Sequence, residues 1–183
     1  MKFTRLKLPE IIRIEPKIHA DNRGAFWEWY RKDLYAAHEI MDQFVQDNQS
    51  SSVKGVLRGL HWQVQPMAQA KIVRAIRGRI FDVAVDIRPS SKTFGRWVAE
   101  VLSDENRRIL YIPAGFAHGF LTLSDEAEVH YKVSQFYSLK DDRGIFWNDP
   151  EVGIEWPDLG MEYLVSEKDK RNSLLSSLKK SRV

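Results

Sequence analysis

His61, Lys71, Tyr131 and Asp169 are of the types that moving a proton on and off carbon requires. Histidine titrates near neutral pH, so it can take a proton from carbon where the resulting carbanion is delocalised and its charge is met. Lysine supplies that charge. A tyrosine on the far side of the substrate can return a proton to the opposite face, and the outcome is inversion. An aspartate bonded to the imidazole fixes its tautomer and raises its basicity; Asp169 could do so if the C-terminal segment folds back. Nothing is oxidised, so no cofactor is called for.

Two other chemistries compete. Pro113, Gly115 and His118 form a PxGxxH pattern similar to the second motif of cupin barrels, whose metal-binding members carry an earlier His-x-His. Here that place reads His61, Trp62, Gln63. One imidazole is missing and no carboxylate follows at the usual spacing, so no metal is expected. The third reading is a binding module, a barrel that holds its ligand without turning it over.

The stretch that must position these groups is Gly55 to Lys71, GVLRGLHWQVQPMAQAK, where Arg58, His61 and Lys71 interrupt an apolar, strand-like run. Polar groups in such a run are bonded to one another, reach solvent or line a pocket. Strict alternation points Arg58 and His61 to opposite faces. Gly59 can alter that by forming a bulge that aims both into one cavity; the competing reading is an edge strand with a solvated arginine and a core histidine. Lys71 shares parity with Val73 and Ala75, which places it inside. Burial there lowers a lysine's pKa unless it is paired.

Strands recur about every ten residues with almost no helix between them, which predicts an antiparallel sandwich or barrel of jelly-roll type. Residues 3–14 read as a strand pair turning near Pro9. The turn DNRG (21–24) leads into a strand AFWEWY in which Phe26 and Glu28 share a face, Glu28 being open to a solvated role. Arg31 to Met41 has helical spacing. Gln46 and Asn48 lie on one side of the next strand, where amides suit phosphate or sugar hydroxyls. Phe81, Val83, Val85 and Ile87 hold one face of a strand, with Asp82 and Asp86 on the other. A strand from Glu128 to Tyr137 puts Tyr131 and Tyr137 on one side, as cavity residues or as core. Asp141 to Pro157 reads as an irregular cover, and Ser166 as the N-cap of a short tail helix.

At 183 residues, with 43% hydrophobic and 29% charged residues, one globular domain over 1–183 with a partly helical tail (166–183) is expected. The absence of cysteine excludes disulfides, thiolate nucleophiles and zinc fingers. No apolar run is long enough for a bilayer and no signal peptide is visible, so a soluble cytoplasmic protein is expected. Lys plus Arg exceed Asp plus Glu by only 28 to 25, too little for a nucleic-acid binder but compatible with a small anionic ligand.

GVLRGLHWQ, the Lys71 strand, DVAVDIR, SKTFGRW, LSDENRR, IPAGFAHGF, Tyr131-Lys132 and GIFWNDP, in this order and spacing, resemble the dTDP-4-dehydrorhamnose 3,5-epimerase family over about residues 21–169. The resemblance implies a cupin-like jelly roll, all-β with a few short peripheral helices, without metal or cofactor and forming a homodimer. It implies dTDP-4-dehydro-6-deoxy-D-glucose as substrate, in dTDP-L-rhamnose biosynthesis, or inversion at C3 or C5 alone as in sister enzymes. By the same resemblance His61 is the proton acceptor, Tyr131 the donor, Lys71 the enolate stabiliser and Asp169 the partner of His61. Arg23, Phe26, Glu28, Gln46, Asn48, Arg58, Lys71, His118 and Lys168 match substrate contacts, and Tyr137 the tyrosine that stacks on thymine. Asp142 stands where the family often has Glu.

Overall fold

The computed structural model describes residues 1–180; the end of the basic tail, SRV, lies outside them. In chain order the elements are β1 (Lys2–Arg5), β2 (Ile12–Glu15), β3 (His19–Asp21), β4 (Gly24–Phe26), α1 (Lys32–Ala36), β5 (Gln46–Val53), β6 (Val56–Gln63), β7 (Lys71–Arg77), β8 (Arg79–Asp86), β9 (Trp97–Ser103), β10 (Ile109–Ile112), β11 (Phe116–Thr122), β12 (Glu126–Val133), β13 (Asp142–Gly144), β14 (Leu164–Val165), α2 (Glu167–Lys170) and α3 (Leu175–Lys180). One sheet runs β1-β2-β10-β7-β12-β5, a second β13-β6-β11-β8-β9 with β14 against β6, and β3-β4 form a separate hairpin. Among these strands, pairing is antiparallel except for β14 with β6. This is the double-sheet architecture that the strand spacing predicts.

Alternation decides what each sheet buries. Val73, Ala75 and Val129 of the first sheet meet Ile80, Ala84 and Phe120 of the second in the central core. Val83 and Val85 of β8 point the other way, into a cluster closed by Ile145, Val152 and Leu175 from the C-terminal segment. The second sheet is therefore covered on both faces, and the face of β8 that carries Asp82 and Asp86 turns inward, with both carboxylates wholly buried. A third cluster, Tyr35 with Ile12, Ile14, Ile72 and Tyr111, covers the outside of the first sheet.

Three element boundaries differ from the sequence pattern. The strand expected from AFWEWY stops at Phe26, so Glu28 does not share a strand face with it. The helix is confined to Lys32–Ala36, because Glu39 takes a left-handed backbone (φ 67°) and turns the chain before Met41. The strand starting near Glu128 ends at Val133, and Tyr137 lies beyond it, tied instead by its backbone N–H to Gln46 Oε1 at 3.0 Å. Ser166 caps α2 as expected, its Oγ accepting from Asp169 N at 3.1 Å.

Candidate active site

The site begins with an irregularity between β6 and β11. His118 pairs with His61 and Phe120 with Arg58, so one strand spends three residues where the other spends two. Gly59 takes φ +117°, and a Cβ there would stand 2.6 Å from Gly119 Cα; one on Gly119 would stand 2.6 Å from Arg58 O. Two bare glycines thus let the strands touch, and the extra residue re-aims the β6 side chains. Arg58 and His61 consequently line the same cavity.

That cavity, of about 200 Å³, is bounded also by Lys71, His118, Tyr131 and Asp169. A second, of about 310 Å³, shares His61, Lys71 and Tyr131 with it and adds Gln46, Asn48, Tyr137, Asp142 and Lys168. His61 comes from the second sheet, whereas Lys71 and Tyr131 come from the first. Base and acid candidates therefore approach the shared space from opposite walls.

Asp169 is 3% exposed and its Oδ1 lies 2.5 Å from His61 Nε2. The Gly59 backbone N–H also donates to its Oδ2, at 3.3 Å. Burial alone raises a carboxylate's pKa, but the hydrogen bonds from His61, Gly59 and Ser166 outweigh it and hold Asp169 below the ordinary range. An ionised Asp169 accepts the Nε2–H of His61, which leaves Nδ1 as the basic nitrogen. Tyr131 is pushed up by burial, opposed by Arg58, so its hydroxyl carries its proton at neutral pH.

Lys71 is buried at 9% exposure, and among the described residues its Nζ finds only His61 O, at 3.4 Å. Burial draws its pKa down to about 8, with Asp82 and Asp142 pulling it back up. An ammonium with donors to spare in a small cavity is suited to meeting negative charge that develops on a substrate oxygen.

The remaining predicted residues divide in two. Gln46 Nε2 donates to Asn48 Oδ1 at 2.8 Å, Arg58 is held by Ser52 Oγ at 3.1 Å and Ser51 O at 3.2 Å, and Lys168 pairs with Asp142. Tyr137, 56% exposed, offers its hydroxyl to Asp142 Oδ2 at 3.4 Å. Arg23, Phe26 and Glu28 are not brought to either cavity. Arg23 is paired with Asp21 at 2.7 Å, Phe26 is 69% exposed, and Glu28 faces Arg31 at 3.7 Å.

Sequence reasoning missed Gln63, Gly119 and the place of Asp82. Gln63 donates to Met67 O and Phe136 O and accepts from Ser138 N, stitching together the two loops beside Tyr137. Asp82 accepts from His118, Nε2 to Oδ2 at 2.9 Å; the visible signal was a charge repeated inside DVAVDI. Among the described residues no three His, Asp or Glu side chains gather as a metal site.

The dTDP-4-dehydrorhamnose 3,5-epimerase family model matches residues 5–177. A dTDP-4-dehydrorhamnose 3,5-epimerase from Shigella flexneri is 51% identical over 170 residues, covering 92% of this chain and 93% of the relative. Among solved structures, a dTDP-6-deoxy-D-glucose-3,5-epimerase from Legionella pneumophila in complex with dTDP-4-keto-L-rhamnose superposes with a TM-score of 0.92 at 46% identity, covering 96% of this chain and 93% of the other. A 3'-monoepimerase from Streptomyces bikiniensis in complex with dTDP-quinovose gives 0.89 at 34% identity, covering 96% and 89%.

Proposed function

The chain belongs to the dTDP-4-dehydrorhamnose 3,5-epimerase family and is an epimerase with the cupin-like jelly-roll fold, and on that premise we propose that it inverts C3 and C5 of dTDP-4-dehydro-6-deoxy-D-glucose, giving dTDP-4-dehydro-L-rhamnose for dTDP-L-rhamnose biosynthesis. His61 Nδ1 removes the proton, the Lys71 ammonium meets the charge on the C4 oxygen, and Tyr131 returns a proton to the other face. C3 and C5 both flank the C4 ketone, so either carbanion is an enolate on the same oxygen. One lysine serves both. In a gluco-configured chair H3 and H5 are axial on the same side of the ring, so one base on one wall and one acid on the facing wall suffice for both centres.

The observation that carries this reading is the placement of the His61–Asp169 pair and Tyr131 on facing sheets across a space that also holds Lys71. Arg58, with the amides of Gln46 and Asn48, holds the diphosphate, since a guanidinium is always charged and its fork is bidentate. Tyr137 stacks on thymine, and His118, Asp142 and Lys168 complete the sugar-nucleotide contacts. In the homodimer the exposed hairpin with Arg23, Phe26 and Glu28 serves the partner's cavity. The enzyme works in the cytoplasm without cofactor or metal.

Incubation with the substrate in deuterated water, read by NMR, tests the reaction: two labelled carbons are expected. A single labelled carbon would favour the monoepimerase reading, which the Streptomyces bikiniensis relative keeps in view. His61→Asn abolishes both exchange and product, with a loss of about 10² to 10⁴ or more. Tyr131→Phe keeps base and lysine, so exchange with retention continues while net inversion falls much further. Equal losses of the two in a folded Tyr131→Phe enzyme would remove Tyr131 from the role of acid.

A further inference from the structure

Gln63 is buried at the end of β6, two residues beyond His61 and on the same face of the strand. A buried side-chain amide is costly unless its donors and acceptor are met. Here Nε2 donates to Met67 O at 2.6 Å and to Phe136 O at 3.1 Å, while Oε1 accepts from Ser138 N at 2.7 Å. One side chain thus holds the backbone on both sides of Tyr137. The N–H of Tyr137 itself goes to Gln46 Oε1 at 3.0 Å. Gln63 belongs to the second sheet and Gln46 to the first, so the peptide groups that carry the ring are gripped between the two walls of the outer cavity.

This stretch needs a grip. Phe136, Tyr137 and Leu139 are all exposed, and apolar side chains left free in solvent gain by folding back onto any apolar surface within reach. A half-exposed ring has little packing to orient it, so its direction follows from the backbone. Other ties of the loop, from Gln69 to Gln135 O at 2.6 Å and from Ser138 Oγ to Asp141 Oδ2 at 2.5 Å, lie to either side of the ring.

We propose that Gln63 is a positioning residue for the nucleotide: acting through residues 136–138, it preorganises Tyr137 so that the ring face is already presented to a planar base. A loop that must be ordered at the moment of binding loses affinity by the cost of ordering it. Gln63 removes that cost in advance. The inference rests on the reading of Tyr137 as the thymine contact and goes beyond it, since β6 then registers both ends of the substrate, the hexose at His61 and the nucleoside at Gln63.

Two variants test it. Gln63→Leu keeps the bulk and removes all three bonds; Gln63→Glu keeps the shape but turns a carboxylate, which cannot donate, toward Met67 O and Phe136 O. In either, dTDP should bind about tenfold more weakly by calorimetry and KM should rise in step. Turnover at saturation and the binding of pyrophosphate, which has no base to stack, should stay close to wild type. In a Tyr137→Ala background the same changes should cost nothing further, because residues that act as one unit are not additive. Unchanged dTDP affinity in the folded variants, an equal loss for pyrophosphate, or losses that add to that of Tyr137→Ala overturns the proposal. Hydrogen exchange in the ligand-free protein gives a second judgement: the Ser138 N–H should be protected in wild type and exchange faster in the variants. An unprotected Ser138 N–H in wild type overturns the proposal without any variant. If Tyr137→Ala binds dTDP as well as wild type does, the thymine reading fails, and exchange at Ser138 still decides whether Gln63 holds the loop.

Discussion

Replacing Lys71 by methionine should make the protein more stable and inactive at once. A fall in pKa from the ordinary 10.5 to about 8 is worth about 3 kcal/mol at ~1.4 kcal/mol per pH unit, the net cost of holding the charged form in the fold after the attraction of Asp82 and Asp142 is included. Methionine has similar length, no charge and a flexible apolar stem that fills irregular space. The direction with pH follows from linkage. Between about pH 8 and 10.5 the unfolded chain binds more protons at this site than the folded one, so wild-type stability rises through that window. The advantage of Lys71→Met is therefore full below pH 8 and closes toward pH 10.5. For a chain of this size 1 kcal/mol moves Tm by ~2–4 °C, so a gain of about 6–12 °C at pH 7 is expected by thermal denaturation, with turnover lost. A folded Lys71→Met protein that melts at or below the wild-type temperature at pH 7 would refute the reasoning and make Lys71 a structural anchor.

Three further outcomes are expected. Millimolar dTDP should raise the melting temperature, since a ligand that binds only the folded state stabilises it; no shift would remove Arg58, Gln46, Asn48 and Tyr137 from the nucleotide site. Gly119→Ala should cost roughly 1–3 kcal/mol and most of the activity, because its Cβ would meet Arg58 O at 2.6 Å and Leu60 Cδ2 at 2.9 Å and force β6 from β11; urea unfolding and turnover together report it. Chelator treatment should leave turnover unchanged, whereas near-stoichiometric metal in the purified protein together with loss on chelation would reinstate the metal-cupin chemistry.

The architecture was legible because a period of two is a strong signal where one face is buried and charges mark the other. The inward direction of Lys71 followed from Val73 and Ala75 alone, and all three are buried. The bulge was legible from one glycine; its facing partner Gly119 was not, since which glycine opposes which depends on register. Strand ends were overrun for a related reason. Alternation continues from Val129 through Tyr137, but Ser134 Oγ turns aside to accept from Ala70 N, and nothing in the pattern records the chain leaving the sheet. Asp82 was hidden by the opposite failure. Charges alternating with valines look like a solvent face, and this face is buried because segments more than sixty residues later cover the valine side instead.

That same late segment supports His61. Ser173 bridges Ile145, Leu175 N donates to Asp149 Oδ2 at 2.5 Å, and Gly144 leaves room for Asn172, whose amide would stand 2.4 Å from any Cβ there. These contacts hold α2 against β6 from beyond its C-terminal end, while β14 holds it from the N-terminal side by pairing with Val56 and Leu57. Asp169 sits between the two anchors. The carboxylate bonded to His61 is thus fixed by residues 164–175, and His61 has this partner only where that segment is docked. The central core and the His61–Asp169 pair rest on different contacts, and any change that loosens the docking of residues 164–175 is expected to reach His61 through Asp169 before it reaches that core.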